Sequence, residues 1–446
     1  MEGDGAAEKG LGSPFQKSML LRFSLPCFAL IVGSAPLVAA PQEAAPQEAA
    51  RGLHEEALPL PAGEQMQLAS FAEGPLAQTH LLWADLLPET TDGAASIPVL
   101  RTAQWQGTAW SEAQELARGP QLFLNWADTP RMAVQENGAS VVTWLEHLPP
   151  KEGGGESPGY GIRYRWRASA EAAWSESAWL HQDLESREHG FVTLLPLPDG
   201  SFQASFLQAG ATMADPTILR SVILHADGTK SAERLLDEQV CDCCDTAGVV
   251  LPNGKTIVIY RNRSEEEIRD IYLVREDPLA PEGKVATDLA LSADQWKIQG
   301  CPVNGPAITN QGRFVMVAWY TKFQGRLPQV KAVLSRSGGS KFVIPSILAG
   351  GDRTIGRVEA AYLPQGEVLV SWLEQTDDGK AQWVMRKIPK KGLPGGKRVL
   401  GTVADSRDSG FLSMRSTETG VLAIWRNAKA ENGLVLKRLW LDEKSD

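Results

Sequence analysis

The sequence predicts an all-β fold, a single closed ring of four-stranded antiparallel blades. Three observations carry that reading. One unit recurs along the chain, a small-apolar strand, a turn containing Gly and a second strand that reaches an aromatic residue; clear copies occupy residues 132–144, 192–206 and 247–260. The aromatics of successive copies, Trp144, Phe206, Tyr260, Trp319, Trp372 and Trp425, stand 53 to 62 residues apart. Each copy is followed by two further alternating segments, so four short strands fill each repeat of about 55 residues, the pattern of a β-propeller blade.

Taken in order, the chain opens with a leader. The run from Met19 through Ala35 has a cationic start, an apolar stretch too short to span a bilayer, and small residues after it, which reads as a secretory signal peptide. Residues 1–40 are assigned to this leader, with Met19 as the expected true start and cleavage between Ala35 and Ala40. Cys27 follows Pro26 inside the apolar stretch, the wrong setting for lipid attachment. Residues 41–53 carry the tandem repeat Pro-Gln-Glu-Ala-Ala and form a linker without core residues. Residues 54–446 are assigned to the propeller. Beyond the leader no segment is apolar enough to be a membrane helix, so the mature chain is expected in the periplasm or outside the cell, as a monomer.

A weaker copy at residues 68–83, ending at Trp83, precedes the clear ones and makes seven blades; six is the alternative if that copy is irregular. The last copy stops one strand after Trp425, at residues 434–440. The missing strand is expected from residues 54–60 at the mature N-terminus, which closes the ring and removes an exposed edge. Fourteen Trp against 6 Tyr is accounted for by aromatic packing between blades. A net charge of −10 excludes an extended nucleic-acid surface and leaves room for a local cationic pocket.

Chemistry-bearing residues concentrate in one region: Cys241-Asp242-Cys243-Cys244-Asp245-Thr246, then Tyr260-Arg261-Asn262-Arg263, then Gly300-Cys301-Pro302-Val303-Asn304-Gly305-Pro306. In a propeller the starts of first strands and the ends of second strands share one rim, so all three segments are expected on that rim at blades four and five. Glu146, Glu374 and Arg426 join it at second-strand ends; Asp128, Arg131, Arg353, Arg357 and Arg407 join it near first-strand starts. Arg261, Arg263, Arg269, Arg357, Arg407 and Asn304 are the expected contacts for a small anionic or carbohydrate ligand. An ion-pair lattice between Glu265-Glu-Glu-Ile-Arg269-Asp270 and the arginines is the competing structural reading. Glu146, Glu374, Asp242 and Asp245 are the candidate acids.

These segments resemble the sialidase-like propeller superfamily, within it a secreted bacterial group marked by the CDCC-T, YR-R with EIRDI, and W-x-I-x-G-CPVNGP motifs, here at residues 241–246, 260–271 and 296–306. The resemblance implies the fold and, more weakly, glycoside hydrolase activity of sialidase type. That activity needs an arginine triad, an acid and a Tyr–Glu nucleophile pair. Arginines and acids are available; Tyr260 stands at the core-aromatic position, and no Tyr–Glu pair is identifiable. Asp-box sequences are degenerate, at residues 226–231 and 335–342.

The four cysteines of the mature chain, Cys241, Cys243, Cys244 and Cys301, admit three readings. A disulfide from Cys301 to one of the other three fastens two blades. A thiolate site for copper(I) or zinc uses Cys241 and Cys243 from one side of an extended segment and Cys244 from the other. A reactive thiol draws on nearby Arg261 and Arg263. No cofactor is expected apart from that copper or zinc.

Overall fold

The computed structural model describes residues 52–88, 96–149, 159–184, 188–210, 212, 215–280 and 289–442. The expected leader at 1–40, and all but the last two residues of the expected linker, lie outside them. Seven four-stranded antiparallel sheets follow one another along the chain. Their first strands are Gln67–Phe71, Arg131–Val134, His189–Pro196, Ala247–Val250, Ala307–Gln311, Thr354–Tyr362 and Ser413–Thr417, which number blades 1 to 7. Six blades take all four strands from consecutive sequence; the seventh takes three, ending with Leu434–Leu441, and receives its outermost strand from Leu53–Ala57. Seven blades and the N-terminal closing strand are therefore as the repeats predict, with one adjustment: Leu53, counted with the linker, pairs with Leu441.

That closing strand is latched by side chains as well as backbone. His54 stacks on its partner Trp440 at 5.5 Å, and Glu55 accepts Lys437 at 2.9 Å and meets Arg398 of blade 6 at 3.1 Å.

The repeat aromatics build the joints between blades. Trp83, Trp144, Phe206, Tyr260, Trp319, Trp372 and Trp425 are all buried, one in each of seven apolar clusters. Each ring leans from the second strand of its own blade onto the preceding one. Trp144 of blade 2 meets Leu82 and Leu100 of blade 1, and Trp319 of blade 5 meets Ile257, Ile259 and Ile271 of blade 4. Burial of such a ring is worth roughly 4–6 kcal/mol before entropy is counted. Indole N–H groups then need acceptors: Trp144 donates to Glu146 at 2.8 Å, Trp372 to Glu374 at 3.3 Å and Trp319 to Asp294 at 2.7 Å.

The degenerate Asp-box segments form turns between third and fourth strands of blades 3 and 5, on the face opposite the rim. In them Asp227 accepts the Thr229 N–H at 2.9 Å and Ser335 Oγ accepts the Gly339 N–H at 3.0 Å. No helix among the described residues is long and apolar enough to cross a membrane.

Candidate functional site

Residues 241–246 connect the last strand of blade 3 to the first of blade 4, and residues 300–306 lead into blade 5. Cys243 and Cys301 join these two rim loops by a disulfide, with Cα atoms 6.0 Å apart. Cys241 and Cys244 remain thiols, both buried, with sulfurs 3.2 Å apart. Arg269 Nη1 donates to Cys241 Sγ at 3.2 Å, and the Asn304 N–H points to Cys244 Sγ at 3.4 Å. Burial raises the Cys241 thiol, but the Cys244 thiol, Arg269 and Arg261 together outweigh it and bring it to about 6. Cys244, buried beside that developing charge, is pushed well up. The C-x-x-C spacing of Cys241 and Cys244 is the sequence signal for this pair; reading the cysteines by strand alternation instead grouped Cys241 with Cys243.

The arginines of this region turn inward. Arg261 is 1% exposed and lies 4.8 Å from the Trp296 ring. Its guanidinium donates to the carbonyls of Asn304 at 3.1 and 2.8 Å, Arg269 at 2.7 Å and Tyr320 at 2.7 Å. It ties three rim segments together and presents no donor to solvent, which corrects its expected ligand role. Arg263 and Arg269 are likewise engaged: both bind Glu267, at 2.6 and 2.9 Å, and both reach Asp242, at 3.2 and 3.4 Å. This is the ion-pair lattice, and Asp242, a candidate acid, is one of its anions and also accepts Thr217 Oγ1 at 3.0 Å.

Glu146 and Glu374 are corrected in the same way. Each caps the indole two residues before it; Glu146 also accepts Arg163 at 3.1 Å, while Glu374 accepts Gln382 at 3.0 Å and Lys397 at 2.6 Å. Their oxygens are consumed by the blades. Asp245, the fourth candidate, points into the central channel, pairs with Arg131 and accepts the Thr246 N–H.

A different constellation assembles where first strands begin. Blades 1, 3 and 6 each carry a β-bulge in the first strand, with Leu68, Phe191 and Arg357 at φ of 50°, 55° and 54°. Side chains with a Cβ avoid that region, so each bulge needs support from its surroundings. Two receive it identically. Asp128 Oδ2 accepts the Phe191 N–H at 2.6 Å, and Asn304 Oδ1 accepts the Arg357 N–H at 2.6 Å. The preceding residues, Gly190 and Gly356, must be glycines, because a Cβ on either would come within 2.2 Å of the supporting oxygen. Asn304 thus positions Arg357 from inside the fold.

Arg357 lies 4.8 Å from the Trp126 ring and 5.8 Å from Phe411, which stack on each other at 6.0 Å. Its guanidinium donates to the Gly410 carbonyl at 2.8 Å, and the exposed Arg407 stands 6.0 Å from the same Trp126 ring. Burial pulls Arg357 down to about 10, still cationic at neutral pH. Among the described residues neither Arg357 nor Arg407 has a carboxylate within ion-pair distance.

Trp126 and Phe411, with Leu68, Thr129, Asp408 and Arg426, line a pocket of about 300 Å³ at the channel mouth. Ala69, Thr129 and Phe411 also line a cavity of about 120 Å³ lower in the channel, where Arg131, Asp245 and Glu359 face one another. Burial raises Asp128 to about 7, with repulsion from Asp245 adding to it, and raises Glu359 to about 8. Glu359 lacked any sequence signal. It lies two residues past the bulge of blade 6, and only the bulge turns it into the channel.

Tyr160 Oη meets Glu188 at 3.5 Å, a Tyr–Glu contact. Burial and the nearby Asp128 and Glu188 push this phenol far up, the reverse of an activated nucleophile.

No family model and no curated protein sequence matches the chain. Solved structures resemble it at low identity. A protein of unknown function from Dyadobacter fermentans is 13% identical, covering 72% of this chain and 97% of its own, with a TM-score of 0.47. A sialidase from Streptococcus pneumoniae is 9% identical over 86% of this chain and 71% of its own, with a TM-score of 0.42. An intramolecular trans-sialidase from Ruminococcus gnavus is 10% identical over 86% and 97%, with a TM-score of 0.42. The protein is a seven-bladed β-propeller with sialidase-like structural neighbours.

Proposed function

We propose that this protein is a secreted binding module for an acidic carbohydrate or similar carboxylate ligand, held at the mouth of the propeller channel. The observation that carries the reading is the pair Arg357 and Arg407, both within 6.0 Å of the Trp126 ring and, among the described residues, neither with a carboxylate within ion-pair distance. Two cations against an aromatic plane suit a ring-shaped ligand bearing an anionic group: the guanidiniums take the carboxylate and the indole takes an apolar ring face. Support for the aromatic wall comes from the Trp126–Phe411 stack, and the pocket of about 300 Å³ matches one or two sugar rings. This moves the ligand away from the CDCC, Arg261 and Arg263 loops, whose polar groups are spent on one another.

An array of acidic and neutral glycans tests it. Acidic glycans are expected to be retained, and Arg407→Ala, a surface change, to abolish retention. Binding that is absent across the array, or unchanged in Arg407→Ala and Trp126→Ala, refutes the reading. Secretion is checked by sequencing the mature N-terminus, expected to begin between residues 36 and 41.

A hydrolase reading draws on one feature, the buried carboxyls of Asp128 and Glu359, which hold protons near neutral pH below the mouth. Release of a fluorophore from a sialoside, lost in Glu359→Gln, is what that reading requires.

A further inference from the structure

Cys241 and Cys244 are left over by everything above. They are buried thiols 3.2 Å apart, three residues apart in sequence, beneath a disulfide that already fastens the loops. Beside them sits an unusual charge arrangement. Arg261 is buried and makes four hydrogen bonds, all to neutral carbonyls. Arg269, also buried, directs Nη1 at the Cys241 sulfur. A guanidinium inside a protein needs a compensating anion; the carbonyls around Arg261 supply none, and its anionic neighbour, the buried Asp270, spends its oxygens on the Gln295 and Trp296 N–H groups.

We propose that Cys241 and Cys244 form a binding site for a soft monovalent metal ion, copper(I), as a bis-thiolate complex. Binding forms two S–Cu bonds and displaces the protons the sulfurs hold, two from a pair of thiols and one where Cys241 is already a thiolate; no electron is transferred. The product bears one negative charge; Arg269, which also pairs with Glu267 and Asp242, directs Nη1 at the Cys241 sulfur, and Arg261 lies beside it.

The donor set selects the ion. Thiolate sulfur favours soft metals, and copper(I) is content with two or three sulfurs. Zinc asks for four ligands. With Cys243 held by Cys301, only two thiolates are available, and among the described residues no histidine or carboxylate joins the group of cysteines whose sulfurs lie within 4.8 Å of one another, Cys241, Cys243 and Cys244. At a metal–sulfur distance of about 2.3 Å a linear pair spans about 4.6 Å, so each sulfur moves outward by roughly 0.7 Å on loading. Both sulfurs are buried, which shields copper(I) from water.

The test uses the full mature chain, purified without oxygen and titrated with copper(I) against a chromogenic copper(I) chelator. One equivalent bound per chain is expected, lost in Cys241→Ser and Cys244→Ser and retained in Asp242→Asn, which leaves both sulfur donors in place. Because the serine variants risk misfolding, the wild-type protein carries a second readout: copper(I) should protect two thiols from alkylation, mapped by mass spectrometry to Cys241 and Cys244. Failure to take up copper(I) while both thiols are alkylated overturns the proposal. So does a Cys241–Cys244 disulfide that forms equally fast with and without copper(I), or uptake that persists in both serine variants.

Discussion

Replacing Asn304 by Ala removes one side chain on which three segments depend. Its Oδ1 accepts the N–H of Arg357 at 2.6 Å; its Nδ2 donates to the carbonyls of Pro302 at 3.0 Å and Ile355 at 3.3 Å. Asn304 and Arg357 are both buried, so water cannot replace the lost acceptor. An orphaned buried N–H costs about 1–3 kcal/mol, and two lost donated bonds about 0.5–1.5 kcal/mol each, so Asn304→Ala should cost about 2–6 kcal/mol. The bulge then loses what holds Arg357 at its positive φ, and the guanidinium drifts from Trp126. Two measurements belong together: the guanidinium-chloride midpoint, expected to fall, and retention on acidic glycans, expected to vanish under conditions where the variant is still folded. A stability change below about 0.5 kcal/mol would refute the energetic reasoning. Full glycan retention in a folded but destabilised variant would refute the positioning role.

Three further outcomes follow from the same geometry. Glu374→Ala leaves the Trp372 indole, Gln382 and Lys397 without their shared acceptor, and should cost about 1–3 kcal/mol in denaturation while leaving glycan retention intact. Cys301→Ser opens a loop spanning 58 residues of sequence, for which chain entropy predicts a loss of about 4 kcal/mol, read as the same midpoint shift that a reducing agent gives the wild type. Asp128 and Glu359 titrate near 7 and 8 in the folded chain, above their ordinary 3.8 and 4.5. The folded state therefore holds protons that the unfolded chain releases; their contribution is complete below about pH 4, and stability falls as pH rises towards 8. Denaturation midpoints at pH 5 and 8 should show that decline, and Glu359→Gln should flatten it.

The ring was legible in the sequence because its cause is periodic. Each blade needs an aromatic to cover its neighbour, and Trp144, Phe206, Tyr260, Trp319, Trp372 and Trp425 recur at that interval. The closing strand was legible for a related reason, since a single strand after Trp425 leaves the last blade with three and cannot complete its sheet. What the sequence hides is where a polar side chain spends its bonds. Arg261 and Arg407 are equally arginine in the sequence, yet one stands at the buried end of a second strand with carbonyls on three sides, and the other stands in an exposed loop. Glu146 and Glu374 follow Trp-Leu, and the indole two residues back decides their role. Bulges are less legible still. Gly190 and Gly356 mark them, but the supporting oxygens of Asp128 and Asn304 come from loops more than 50 residues away in sequence.

Asn304 also connects the two proposed sites. Its backbone N–H faces the Cys244 sulfur at 3.4 Å, its carbonyl takes two bonds from Arg261, and its side-chain oxygen holds Arg357. Turning Cys244 from a buried thiol into a metal-bound thiolate strengthens its pull on that N–H and shifts the sulfur outward. A residue held at three points cannot follow the sulfur without moving the oxygen that supports Arg357. Copper(I) loading should therefore change affinity for an acidic glycan, by about fivefold or more at ordinary coupling strengths. Linkage fixes the converse: a saturating glycan must change copper(I) affinity by the same factor. Titrating glycan into copper-loaded and copper-free protein, and copper(I) with and without glycan, gives two factors that must agree. Equal glycan affinities in a protein shown to bind both ligands would mean that Asn304 supports each site separately and transmits nothing between them.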